Sequence, residues 1–256
     1  MTRHALADAE WASVHTILMQ VPGIWKYREE ELRRFVEAVL WVCRTGAAWM
    51  DLPASFGLAD TVRRRYRRWA QRGVWERLFG SSVPVGGDGV VLIDATICKA
   101  HRSSSGARGG ATEEIGASRG GITSKIHAAT DTDGRALRLV LTGGNVNDCT
   151  QFEALVRDVP MTALVADRGY DTDKIRTILA GCGVTAVIPT KRNRKVQIEH
   201  DRTLYAKRHA VENFFLRLKD FCRVTMRRDK TAASYIGFAH LAATVINMRQ
   251  KKRLCP

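Results

Sequence analysis

The segment YAKRHAVENFFLRLK at 205–219 sets out Tyr205, Arg208, Glu212 and Lys219 at successive offsets of three, four and seven residues. At about 100° per residue these four fall within roughly 60° of one helical face. A carboxylate flanked by two cations and a phenol suits work on a phosphate. Val211, Phe214, Leu218, Phe221 and Cys222 fall in another sector of the same helix and are expected to face a core. An amphipathic helix ordinarily turns its polar stripe to water, so the stripe alone leaves both readings open.

Two further carboxylates follow apolar runs: Asp94 in VVLID and Asp167 in ALVAD. A carboxylate at the end of a buried strand is costly to desolvate unless something compensates it, and a divalent cation is one strong compensator. Each aspartate taken singly also fits a helix cap or a turn. With Glu212 they make three hard oxygen donors from three separate segments, a set that suits Mg²⁺ or Mn²⁺ and neither zinc nor copper. Two such ions about 3.5–4 Å apart serve phosphodiester chemistry by activating the attacking oxygen and stabilising the leaving one. In that setting Glu212 completes the ion site, Arg208 and Lys219 hold phosphates beside it, and Tyr205 stacks on a base or bonds a phosphate.

The elements that must position these residues fall into two groups. Residues 1–82 read as helical: one helix near 7–19, then YREEELRRFVEAVLWVCRTG with apolar residues at helical spacing and Gly46 as its stop. After a turn region around Pro53 and Gly57, Asp60 or Thr61 is expected to cap a helix whose Val62, Tyr66 and Trp69 face inward while arginines ring the outside. That is how a helix-turn-helix module presents a helix to DNA, with Arg63, Arg64, Arg67 and Arg68 as phosphate contacts. SSVPVGGDG at 81–89 marks a boundary, and 83–256 reads as a second domain. It opens with a strand at VVLIDATI and a hairpin of SKIHAATD with RALRLVLT. Helix (DCTQFEALVRDV), strand (TALVAD), helix (TDKIRTILAGC), strand (TAVIP), the opening helix and a last helix near 231–250 follow. Three strands, then helix, strand, helix, strand, helix predict an α/β mixed sheet flanked by helices, in the order of a ribonuclease H-like domain.

Composition narrows the partners. The 256 residues carry a formal net charge of +15, which favours a polyanion because basic side chains release the counterions condensed on phosphates. Residues 190–230 hold thirteen Lys or Arg against five Asp or Glu, Lys191 and Arg192 among them as expected DNA contacts. TVRRRYRRWAQR at 61–72 holds six Arg and no acid. Double-stranded DNA is the expected partner. The six cysteines are scattered, with no CxxC pair, which argues against a zinc site or a disulfide framework; they are expected reduced and mostly buried. No secretory pattern opens the chain, and no apolar stretch reaches the about eighteen residues of a membrane span. A cytoplasmic protein, held at the nucleoid when bound to DNA, is expected.

Together these residues resemble bacterial insertion-sequence transposases of the DDE class, in the subgroup with a Tyr-Arg-Glu-Lys signature. Y-x2-R-x3-E-x6-K is met by Tyr205, Arg208, Glu212 and Lys219. Asp94 in LIDATICKAH matches the first catalytic aspartate and Asp167 in ADRGYD the second. WMDLPASFG and RRWAQRGVWERLF resemble the family's helical DNA-binding region, so the likeness covers nearly the whole chain. The resemblance implies a ribonuclease H-like core with two divalent ions, Mg²⁺ or Mn²⁺. It also implies cleavage and strand transfer of an element bounded by terminal inverted repeats, and a homodimer on DNA that joins element ends to a target. Tyr205, Arg208 and Lys219 would touch the DNA backbone near the cleaved end. Only 44 residues separate Asp167 from Glu212, too few for the β-rich insertion of some relatives.

Other motifs carry less. GASRGGIT at 116–123 has the glycine spacing of a P-loop but Ile122 in the lysine position, so no nucleotide cofactor is expected. DTDG at 131–134 reads as a hairpin turn, Ser103–Gly121 as a mobile loop, and His127 as structural. Asn145, Asn147 and Asp148 are expected to cap the next helix, with a supporting role near the ions open to them. Two other functions share the features: a DNA-binding regulator derived from a transposase, without catalysis, and a structure-selective nuclease. Intact Asp94, Asp167 and Glu212 favour the enzyme over the regulator.

Overall fold

The computed structural model describes residues 5–24, 27–104 and 113–251. Its strands are β1 (Val90–Ala100), β2 (Gly116–Ser118), β3 (Gly121–Thr130), β4 (Ala136–Gly143), β5 (Ala163–Val165), β6 (Thr185–Val187) and β7 (Met226–Arg227). The helices, in chain order, are α1 (Asp8–Met19), α2 (Glu29–Thr45), α3 (Ala59–Gln71), α4 (Val74–Ser82), α5 (Phe152–Val156), α6 (Asp173–Gly181), α7 (Arg202–Ala206), α8 (His209–Lys219), α9 (Cys222–Thr225) and α10 (Ala232–Lys251).

The described chain forms two compact units. One comprises Val83–Cys98 with Glu114–Arg217; the other takes the described parts of Met1–Ser82, Lys99–Glu113 and Leu218–Pro256. The first unit is built on a mixed sheet in the order β2, β3, β1, β5, β6, with β4 paired to β3. β3 and β4 are antiparallel across the expected hairpin, and β1, β5 and β6 are parallel. This is the predicted ribonuclease H-like order. Val90 to Ile93 of β1 are all buried, as befits a central strand covered on both faces, where an unbroken apolar run replaces alternation. Phe152 and Leu155 of α5 and Ile175 and Leu179 of α6 pack in the core with Val91, Ile93 and Leu164 of the sheet.

Local chemistry revises several expectations here. GASRGGIT forms an antiparallel hairpin, with Gly116 opposite Thr123, in place of the long loop expected; residues 105–112 of that loop lie outside the described residues. DCTQFEALVRDV is helical only in part, a 3-10 turn at Asp148–Gln151 followed by α5. Asn147 stands at the cap position without a side-chain bond to the helix backbone; its Oδ1 accepts from Cys149 Sγ at 3.4 Å instead. The single helix expected over 205–219 is two, α7 and α8. His209 donates from Nδ1 to the carbonyl of Ala206 at 2.7 Å, taking the acceptor that a continuous helix would offer to Ala210. The Ala210 amide turns to Lys207 O at 2.9 Å instead, so the helix breaks beside Arg208.

In the helical unit, α2 ends as expected at Gly46, whose φ of 68° is the left-handed cap glycine allows. Val62, Tyr66 and Trp69 of α3 are buried, and Tyr66 stacks on Phe238 of α10 with ring centroids 4.3 Å apart. The expected cap is absent: α3 begins at Ala59 and Asp60 lies inside its first turn, drawn into ion pairs with Arg63 and Arg64. Arg65 is no outward residue either, since its guanidinium lies over the rings of Tyr27 and Phe35 at 3.8 and 4.1 Å. Of the cysteines, Cys43 and Cys98 are buried, Cys149 is intermediate, and Cys182 and Cys222 are exposed. The expectation of mostly buried cysteines therefore fails among the described residues: Val211, Phe214, Leu218 and Phe221 are each buried as expected, but Cys222 is exposed.

Candidate active site

β1 and β5 run side by side with Leu92 opposite Val165. Two residues beyond that pair, Asp94 and Asp167 follow on adjacent chains of a sheet whose neighbours stand about 5 Å apart. Both positions share a face by the period of two. Asp94 is mostly buried, its side chain 20% exposed; its Oδ1 accepts from the Ala95 amide at 2.8 Å. Burial raises its carboxyl above the ordinary carboxylate range. The charges of Asp167 and Asp148 push the same way, against the Ala95 amide and Arg208. Asp167 also caps a turn, accepting from the Gly169 amide at 2.8 Å.

Glu212 reaches this cluster through Arg208. The guanidinium donates from Nη1 to Asp94 Oδ2 at 3.0 Å and from Nη2 to Glu212 Oε1 in a very short contact. One cation thus joins two acids that are 118 positions apart in a chain of 256. The helix break before α8 frees Arg208 to turn inward, and buried Val211 and Phe214 fix the face from which Glu212 projects. Among the described residues no group of three or more His, Cys, Asp or Glu side chains is gathered tightly enough to hold an ion. A guanidinium holds Asp94 and Glu212 instead.

Beside the acids lies a cleft of about 410 Å³ lined by Asp167, Arg168, Pro189, His200, Tyr205 and Arg208. The rings of His200 and Tyr205 meet edge to face at 5.2 Å. Lys219 is the exposed last residue of α8. Arg192 is exposed, and Lys191 gives its backbone amide to Asp171 at 2.7 Å; neither has a described bond to the three acids. Arg67 and Arg68 are exposed on α3. The basic stretch at 190–230 is partly consumed inside the protein: Arg223 and Arg227 are buried, and Arg194 pairs with Asp171 and Asp173.

Four residues add to the cluster. Lys125, on β3, donates from Nζ to Asp148 Oδ1 at 2.7 Å and to Val146 O at 2.6 Å, so Asp148 is ion-paired rather than a helix cap. His127, buried as expected, shares a 2.8 Å hydrogen bond between Nε2 and Thr142 Oγ1. Burial pushes its imidazole down to about 4. Tyr170 is fully buried and its hydroxyl has no partner among the described residues. One signal pointed here: Lys125 and His127 stand two apart on a strand and so share a face.

A ribonuclease H-like sheet with aspartates at the ends of two adjacent parallel strands and a glutamate on a later helix is the frame of a nucleic-acid-processing domain. The family model described as "Transposase DDE domain" matches residues 86–248, and one described as "Putative transposase of IS4/5 family" matches residues 6–79. The chain belongs to the DDE transposase family, and it is a DNA transposase, a DNA-cleaving enzyme. Over 130 residues it is 35% identical to "Putative transposase for insertion sequence element IS6501" of Brucella ovis, covering 50% of this chain and 100% of that protein. A protein of Burkholderia cepacia with the same description for IS402 is 33% identical over 135 residues, 48% of this chain and 62% of that one. The fold is similar to that of the piggyBac transposase in a synaptic complex with hairpin DNA, at a TM-score of 0.51 and 12% identity, covering 98% of this chain and 75% of that one. Among the described residues no helix is long and apolar enough to cross a membrane.

Proposed function

We propose that this transposase binds the terminal repeats of an insertion sequence and cuts and joins DNA at a site formed by Asp94, Asp167 and Glu212, with two divalent ions, Mg²⁺ or Mn²⁺. The observation that carries the reading is the single cation of Arg208 held between Asp94 and Glu212, beside Asp167. A positive charge already stands between Asp94 and Glu212. The donors fit a hard divalent ion: carboxylate oxygens alone, with Asp94 disfavoured as an isolated anion by burial and by Asp167. When bound, such ions would polarise the scissile phosphodiester and ease ionisation of the attacking hydroxyl.

The protein's own groups do the rest. Asp94 and Asp167 are fixed by the sheet, and Glu212 is fixed by the buried face of α8. On this reading Arg208 leaves the acids as they take up ions and turns to a DNA phosphate, while Tyr205 and Lys219 hold the backbone near the cleaved end. Residues 1–82 recognise the repeat, with Arg63, Arg64, Arg67 and Arg68 on phosphates, and 83–256 carry the chemistry. The boundary between the two family matches, at 79 and 86, supports that division. Lys191 and Arg192 extend the phosphate contacts. A homodimer on DNA, working in the cytoplasm at the chromosome, would bring two element ends and a target together.

The test is strand nicking of end DNA with Mg²⁺ by Asp94→Asn, Asp167→Asn and Glu212→Gln. Each should lose nicking while a gel shift still shows end binding. A variant that retains cleavage removes its residue from the site.

A further inference from the structure

Asp148 stands on the turn that follows β4, and that turn packs against the turn Arg168–Tyr170 capped by Asp167. Its Oδ1 is held by the Lys125 ammonium at 2.7 Å. Its Oδ2 accepts no hydrogen bond from the described residues, and its side chain is 36% exposed. On that packed turn the Tyr170 hydroxyl is fully buried and unpartnered among the described residues. The negative charges of Asp148, Asp94 and Asp167 all act on that hydroxyl. Buried hydroxyls in folded proteins are nearly always bonded, so a donor left open on a turn packed against that of Asp148 points to a group that the chain does not supply. An ion pair built only for stability would close on itself. This one leaves the second carboxylate oxygen without a bond from the described residues.

We infer that Asp148, oriented by Lys125, is a fourth carboxylate of the cleavage site: a positioning residue that, with the Tyr170 hydroxyl, orders the outer coordination of a divalent ion held by Asp94 and Asp167. The inference rests on the ion-binding reading above. Partners outside the ligand set orient the ligands and the waters of a metal centre, and their loss costs on the order of 10-fold or more in ion affinity.

The experiment is titration of the full-length, DNA-free protein with Mn²⁺, followed by the loss of the free-ion EPR signal, which needs no turnover. Asp148→Asn is expected to weaken Mn²⁺ binding by on the order of 10-fold, and Asp148→Glu to restore most of it. Tyr170→Phe, which removes one oxygen and keeps the ring in the core, should weaken binding several-fold. Asp94→Asn in the same titration reads the ion site itself. Loss of Mn²⁺ uptake in Asp94→Asn with wild-type affinity in Asp148→Asn overturns this inference and leaves the site intact. Should Asp148→Asn fail to fold, wild-type affinity in Tyr170→Phe overturns it equally. Unchanged uptake in Asp94→Asn overturns the ion site and this inference together.

Discussion

Arg223 meets Asp229 through two hydrogen bonds of 2.9 and 3.0 Å, with side chains only 6% and 9% exposed. Arg208 divides itself between Asp94 and Glu212, with side chains 26%, 20% and 47% exposed. The first pair is closed: another guanidinium nitrogen donates to Ala47 O at 3.2 Å and the ring of Phe238 lies 5.5 Å away. The second is open: among the described residues, the cationic side chains that bond Asp94, Glu212, Asp148 and Asp167 are Arg208 and Lys125, and neither bonds Asp167. One arrangement locks the helical unit; the other leaves the acids around Asp94 and Asp167 incompletely paired, the condition a divalent ion relieves.

The largest expected effect separates the two outright. Asp94→Asn should lower Mg²⁺-dependent nicking by on the order of 10³-fold, the scale seen when a group that stabilises developing charge is removed. Asp229→Ala should instead act on stability. It leaves the buried Arg223 cation unpaired, a change that costs about 3–5 kcal/mol, read as a fall in denaturant midpoint; an unchanged midpoint would erase the contrast.

A pH series sharpens it next. His127 in the sheet unit and His240 in the helical unit are both pushed by burial down to about 4 from an ordinary value of 6.5. A depressed folded pKa means stability that is present above pH 6.5 and lost as the pH falls through 4. Each histidine is worth on the order of 3 kcal/mol across that window. Thermal unfolding should therefore shift steeply down between those limits, and less so in His127→Gln.

Smaller still is the stability change from Glu212→Gln, which removes one exposed charge paired with Arg208 and should alter unfolding by less than about 1 kcal/mol. A loss as large as that of Asp229→Ala would make the Arg208 cluster structural. On α3, Arg67→Ala and Arg68→Ala should each reduce the salt dependence of end binding by about one unit of slope, with no change in sequence preference.

The sequence made the frame readable wherever a signal was local. The apolar run before Asp94, Gly46 after α2 and the TDG turn between β3 and β4 each state their structure within a few residues. Arg208, expected on a DNA phosphate, bridges Asp94 and Glu212 instead. What the sequence hid depends on partners far away. The break before α8 reflects His209 bonding Ala206 and Arg208 turning to a residue 114 positions earlier. Arg223 and Arg227 look like part of a DNA-binding stretch until their internal partners are seen. Asp148 reads as a cap because Lys125, its partner, lies on a strand 23 residues before it.

The most direct measurement is a crystal of the protein soaked with Mn²⁺ and recorded at the manganese edge. The account predicts an anomalous peak bound by Asp94 and Asp167, with Glu212 close by and Arg208 swung off Asp94. Arg208 still joining Asp94 to Glu212, with no peak among the acids, would contradict it.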